Sequence, residues 1–410
     1  MNNFKLTKLS ELVTRVKVGF VGPINDYYCE KENGVPLIRT TDIDELGINY
    51  SNLKYVTKEF HQKNKKSQIK QGDLIIARHG ENGKANVFKE DFSAQVLNAV
   101  IIEPDQNKLD SNLLKYYFDS PFIKKQILGV VKGSVQGVIN TSHISDVLIP
   151  INEDINYKGL SKLINNLDTK IELNNRINAE LEAMAKTLYD YWFVQFDFPD
   201  TNGKPYKTSG GKMVWNEELK REIPEGWKDG ELKDIANITM GQSPSGESYN
   251  ENGNGKIFFQ GCTDFGNRYP TIRQFTTSPT RYAKEGDILL SVRAPVGTLN
   301  IAKEDCCIGR GLAALNSKDN CISYLFGVML NLKQIFDRRN VDGTTFGSIT
   351  KDDLFSLKVI KPDKEIIRQY HAIINPAFKK QNKMELENLR LSELRDWLLP
   401  LLMNGQVKAS

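Results

Sequence analysis

KQGDLIIARHGENGKANVFKED, from Lys70 to Asp91, lies over KEGDILLSVRAPVGTLNIAKED, from Lys284 to Asp305, without a gap. Gly72 and Asp73 meet Gly286 and Asp287, Gly83 meets Gly297, Asn86 meets Asn300, and both stretches end in Lys-Glu-Asp. Two further matches extend the correspondence: GSVQGVI (Gly133 to Ile139) with GTTFGSI (Gly343 to Ile349), and Thr41-Asp42 with Thr263-Asp264. The offset drifts between about 210 and 222 residues, as happens when loops between shared elements gain or lose residues. Each repeat reads as short β-runs punctuated by Gly and Asp, DLIIAR at 73–78 and DILLSVR at 287–293. There Gly supplies the positive φ of a turn, Asp caps it, and a buried strand follows. The expected fold class is mixed α/β (α+β), with two homologous domains at 1–156 and 227–362.

Between the repeats the texture changes. From Tyr157 to Phe196, positions 160, 164, 167, 171, 174, 178, 181, 185, 188 and 192 alternate steps of four and three and carry Leu, Ile, Leu, Ile, Asn, Asn, Leu, Ala, Leu and Trp. That is a coiled-coil seam with a polar middle, in which Asn174 and Asn178 serve to set register. A second such stretch runs from Asp363 to Met403, with Tyr370, Ile373, Ala377, Met384, Leu391 and Leu398 near the same spacing. Pro376 predicts a kink or a helix start there, and Pro400 and Gly405 an end. Each helix alone would expose an apolar stripe, so the segments at 157–197 and 363–410 are expected to pair as a long antiparallel coiled coil. Residues 198–226 are rich in Gly, Pro, Lys and Ser without a sustained period and read as a linker.

At 410 residues the chain is too long for one core and suits two domains plus connecting structure. Its 40% hydrophobic and 26% charged content is that of a folded globular protein. Neither a secretory pattern at the N-terminus nor a long apolar run is present, so the cytoplasm is the expected compartment and no membrane association is expected. Five cysteines form no C-x-x-C pair and read as reduced thiols. A net charge of +4 is too small for a protein that coats nucleic acid unaided, so any such affinity must come from local patches or a partner. Three arginines precede residue 157, whereas 201–362 carry eight, so the two heads present different surfaces.

NPAF at Asn375 to Phe378 approaches the N/D-P-P-F/Y tetrapeptide of an adenine methyltransferase, but it lacks the second proline and an upstream glycine-rich cofactor loop. GENGK at 80–84 runs into Ala85 and has the wrong spacing for a phosphate loop. The four histidines are scattered, with no metal-ligand spacing. A methyltransferase or a nuclease with unrecognised motifs stands as the alternative to a non-catalytic protein.

The segments ELEAMAKTLYDYWFVQFDFP, GKPYKTSGGKMVWNEELKREIPEGW and LSELRDWLLPLLMNGQV resemble the central and C-terminal conserved regions of type I restriction–modification specificity subunits. The order head, helix, head, helix also matches over nearly the whole chain. The resemblance implies two target recognition domains, each reading one half of a bipartite site on double-stranded DNA. It implies that the helices act as spacer and dock two methyltransferase (modification) subunits, which restriction (translocase and nuclease) subunits join. It also implies no cofactor on this chain, with S-adenosylmethionine on the methyltransferase subunit.

Base reading calls for donors and acceptors on loops, with Arg or Lys suited to guanine and Asn or Gln to adenine. The candidates in the first head are Arg39, Arg78, His79, Asn82, Lys84, Lys132, Ser134 and Gln136. In the second they are Arg268, Arg293, Arg310, Arg338, Arg339, Thr344 and Thr345.

Overall fold

The computed structural model describes residues 4–43, 47–78, 83–133, 138–341 and 348–403. The chain folds into two compact units, Met1–Ile171 with Arg390–Ser410, and Glu172–Leu389. The division falls inside both long helices.

The quoted repeat becomes the same hairpin in each unit. Leu74–Ala77 pairs antiparallel with Ala85–Val87, and Ile288–Ser291 with Leu299–Ile301. Gly72 (φ +88°) and Gly286 (φ +85°) open the turns. The carboxylates of Asp73 and Asp287 accept the N–H of Lys70 (3.0 Å) and Lys284 (2.8 Å). The strands read as unbroken apolar runs because both their faces are covered. Leu74 and Ile76 enter a core shared with helices, whereas Ile75 and Ala77 pack beneath a second sheet. In the other unit Ile288 and Leu290 face the helical core and Leu289 the sheet core.

Topology repeats strand by strand. The first unit has a four-stranded sheet ordered Val13–Val18, Ala99–Pro104, Leu74–Ala77, Ala85–Val87. Its five-stranded sheet contains one parallel pair, Gly34–Arg39 with Ala94–Leu97. In the second unit the four-stranded order is Ala236–Met240, Leu312–Ser317, Ile288–Ser291, Leu299–Ile301, and the parallel pair of its five-stranded sheet is Lys256–Phe259 with Cys306–Ile308. A two-stranded ribbon closes each head: Lys5–Lys8 with Leu148–Ile151, and Lys228–Glu231 with Lys358–Lys361.

Residues 198–226 are not an open linker. Met213–Asn216 and Arg221–Pro224 form a hairpin, and Phe198 stacks between Tyr206 and Trp227 with ring centroids 4.7 and 4.8 Å apart. Phe198, Ile223 and Trp227 join the core of the second unit. Aromatic burial, invisible to a periodicity reading, orders this segment.

The central helix spans Tyr157–Tyr189 and continues as a π turn, Asp190–Val194; the C-terminal helix spans Lys364–Met403. At 1.5 Å per residue they are about 50 and 60 Å long. All ten seam positions named on the central helix are buried or half-buried. The helices run antiparallel: Asn174 Nδ2 donates to Asn388 Oδ1 (2.9 Å), Gln381 Nε2 to the Asn178 carbonyl (3.0 Å), and the Tyr370 hydroxyl to the Ala185 carbonyl (3.2 Å). On the C-terminal helix Tyr370 is buried and Leu391 and Leu398 half-buried as expected, but in between the most buried positions lie one residue further on. Ile374, Phe378 and Glu385 are buried, not Ile373, Ala377 and Met384; Ile373 is 52% exposed. Polar residues Gln381, Glu385 and Asn388 occupy the seam there, so an apolar pattern could not mark it. Pro376 does not interrupt the helix, whose last described residue, Met403, falls between Pro400 and Gly405; Gly405 lies outside the described residues. Both prolines sit on the exposed side, where water can hydrate the carbonyl that each leaves without an N–H partner.

One prediction arises from the repeated turn. Asp73 is 2% exposed, and burial pushes its carboxyl up to about 6, although the Lys70 N–H bond acts in the opposite direction. The folded state therefore binds this proton more tightly than the unfolded chain. The stability it contributes is fully present below the unfolded value near pH 4 and is lost as pH rises through about 6. Asp73→Asn should remove this term, so wild type loses about 2–3 kcal/mol relative to the variant between pH 4 and pH 7.5. Paired urea melts at the two pH values measure it; equal pH dependence would refute it.

Candidate nucleic-acid interface

In the second unit a ladder of backbone hydrogen bonds gathers four loops along one edge. The Gly309 N–H donates to the Phe259 carbonyl (2.8 Å), Gly311 to Gln260 (3.1 Å), Val292 to Gly311 (2.9 Å) and Ile349 to Val292 (2.8 Å). Gln242 joins through Ile308 (3.0 Å), and the Arg310 N–H donates to Ser243 Oγ (3.2 Å). Only glycine permits this approach: a Cβ on Gly311 would lie 2.7 Å from the Gln260 carbonyl oxygen, and one on Gly241 2.1 Å from that of Gly309. Arg293, Arg310, Gln242 and Gln260 stand exposed on the edge, and Arg293 is bridged to Ser348, the residue next to Ile349. Two arginines suited to guanine thus share a ledge with two glutamines suited to adenine.

The first unit builds the equivalent edge with other side chains. Ile139 donates its N–H to the Arg78 carbonyl (3.4 Å) and accepts from Arg78 Nε (2.9 Å). Partial burial lowers the pKa of that guanidinium, which remains a cation. Ala77 pairs with Ala99 at the strand end. Asn98, held at φ +54°, donates its N–H to Phe20 (3.0 Å), and its carbonyl accepts from Thr40 Oγ1 (2.9 Å). Lys84 is half-buried beside Gly83.

Arg39 adjoins the first edge, pairing with Leu97 next to Asn98, and the remaining candidates differ in what already engages them. Arg39 donates through Nε (2.9 Å) and Nη2 (2.6 Å) to the buried Asp42 carboxylate, and through Nη2 to the Asn52 carbonyl (3.2 Å). It holds its own head together. The matching Asp264 is paired instead with Arg273, at 2.7 Å, so the two repeats meet one need from different positions. Arg268 is turned to the C-terminal helix: Nε donates to Asn382, and the guanidinium lies over Phe378, 4.2 Å from its centroid. Burial lowers its pKa. Phe378 belongs to NPAF, which therefore lies within a packed helix. His79, Asn82, Ser134, Gln136, Thr344 and Thr345 lie outside the described residues. Lys132 falls on helix Pro121–Gly133, and Arg338 and Arg339 on helix Ile322–Val341. Strand ends and tight glycine approaches, not a sequence motif, put Gln242, Gln260 and Asn98 on the edges.

Among the described residues, no helix is long and apolar enough to cross a membrane. A family model for the type I restriction modification DNA specificity domain matches residues 3–183 and 224–394. The chain is 29% identical, over 99% of its length and 97% of the relative's, to a Methanocaldococcus jannaschii protein assigned as the specificity subunit of the type I restriction enzyme MjaX. It is 24% identical to the HindI specificity subunit of Haemophilus influenzae, over 83% of this chain and 88% of that one. The crystal structure of a type I restriction–modification S subunit from M. genitalium shares the fold at a TM-score of 0.57 and 15% identity, covering 98% of this chain and 96% of that chain. Two tandem heads of one topology, two antiparallel helices and a family match over most of the chain agree: the protein belongs to the type I restriction–modification specificity subunit family.

Proposed function

We propose that the chain is the non-catalytic DNA-reading subunit of a type I restriction–modification complex in the cytoplasm. Each head reads one half of a bipartite site on double-stranded DNA, and the helices set the spacing and dock two methyltransferase subunits, which restriction subunits join. S-adenosylmethionine belongs to the methyltransferase subunit. The observation that carries this reading is the repeated edge: one scaffold, built twice, presents Arg78 and Asn98 in one head and Arg293, Arg310, Gln242 and Gln260 in the other. Equal scaffolds with unequal side chains suit two different half-sites. We assign His79, Asn82, Lys84, Lys132, Ser134 and Gln136 to the first half-site, and Arg338, Arg339, Thr344 and Thr345 to the second, as donors and acceptors of the kind that read base edges or phosphates.

The purified chain with labelled S-adenosylmethionine and DNA tests the proposal. It should transfer no methyl group alone and should direct methylation to a split sequence once its methyltransferase subunit is added. Transfer by the chain alone, above contaminant level, would refute it.

A further inference from the structure

The first head sits on an apolar seat shared with both long helices. Leu160 and Ile164 of the central helix, with Leu398 and Leu399 of the C-terminal helix, pack into the same core as Leu113 and Tyr117 of the head. Such contact is non-directional. Two polar rungs beside it are directional. Helix Ser111–Asp119 carries Asn112 and Tyr116 one turn apart, opposite Asn165 and Asp168 of the central helix. Asn112 Nδ2 donates to Asn165 Oδ1 (2.8 Å). The Tyr116 hydroxyl donates to the Asp168 carboxylate, 2.8 and 2.7 Å from its two oxygens. Arg395 of the C-terminal helix completes the junction: Nη1 donates to Asp168 Oδ1 (3.0 Å), and the guanidinium carbon lies 5.6 Å from the centroid of the Tyr116 ring. The side chains of Asp168 and Arg395 are only 21% and 23% exposed, so these charge-assisted bonds are sheltered from water.

We infer that the Tyr116–Asp168–Arg395 junction, with the Asn112–Asn165 rung, is a positioning device that fixes the angle of the first head on the helix pair and thereby the spacer length the protein accepts. The inference rests on the bipartite reading above. Lengthening a spacer by one base pair turns one half-site by about 35° relative to the other, a full turn taking roughly 10.5 base pairs. A head that followed this turn would carry its hydrogen bonds far from linearity, and such bonds weaken steeply below about 120°. Apolar contacts have no such dependence on bond angle.

Tyr116→Phe deletes the hydroxyl and keeps the ring, and Asn112→Ala removes the other rung. Each variant is made in the full chain and co-expressed with the methyltransferase subunit, and the methylated adenines of the host genome are mapped. For Tyr116→Phe, both half-sites should persist, while methylation at the preferred spacing relative to spacings one base pair longer or shorter should fall about tenfold. Asn112→Ala should shift the ratio in the same direction by less. Unchanged ratios in both variants overturn the inference. So does loss of methylation at every spacing, which would make the junction a requirement for folding or docking. If wild type itself yields no bipartite pattern, the function proposed above fails instead.

Discussion

Exchanging residues 1–156 for the equivalent head of a relative is expected to replace one half of the recognised sequence and leave the other untouched. Each mismatched base pair costs about 1–3 kcal/mol, so a half-site of three or four changed bases should shift preference by about a hundredfold or more. The structure says where to cut. Lys5–Lys8 pairs with Leu148–Ile151, so the graft must carry both strands of the ribbon that closes the head. It must also keep Asn112 and Tyr116, which meet Asn165 and Asp168 on the retained helix. Mapping methylated adenines in a strain expressing the chimera reads both halves at once. If both half-sites changed, independent reading by two heads would be wrong.

Lengthening the helix pair should change the spacer and neither half-site. Asn174 is fully buried and donates to Asn388, and Gln381 donates to the Asn178 carbonyl. Inserting four residues in the central helix alone would slide these groups past each other, at about 1–3 kcal/mol for each polar group left buried without a partner. The insertion is therefore made in both helices, after Ile171 and after Leu389. It adds about 6 Å of rise, close to two base-pair steps of ~3.4 Å, and about 40° of rotation, since four residues slightly exceed one turn. The variant should keep its half-sites and accept a spacer longer by one or two base pairs. Retained activity with an unchanged spacer would show that the helices hold partners without setting distance.

Much of this architecture was legible in the residues. Gly72-Asp73 and Gly286-Asp287 open the same turn in both heads because positive φ and a capped N–H are local demands. The seam from Leu160 to Trp192 was readable because apolar side chains recur at helical spacing. The middle of the C-terminal seam was not readable in this way, because Gln381, Glu385 and Asn388 fill it, nor was the continuity of the helix through Pro376, where solvent exposure makes an internal proline tolerable. Apolar periodicity also failed in 198–226, whose order comes from Phe198 between Tyr206 and Trp227.

The repeat, the two helices and their place in the chain were determined by the sequence itself, since turns, strands and helical stripes depend on neighbours a few residues away. Which arginines are engaged within the chain and which stand exposed was decided only by tertiary structure. Arg39, Arg268 and Arg293 look alike on paper. Arg39 is taken by Asp42, Arg268 by Phe378 and Asn382 more than a hundred residues on, and Arg293 is left exposed on the edge. An arginine engaged by a carboxylate, amide or aromatic ring of its own chain has fewer donors left for another ligand, and such partners are brought close by folding.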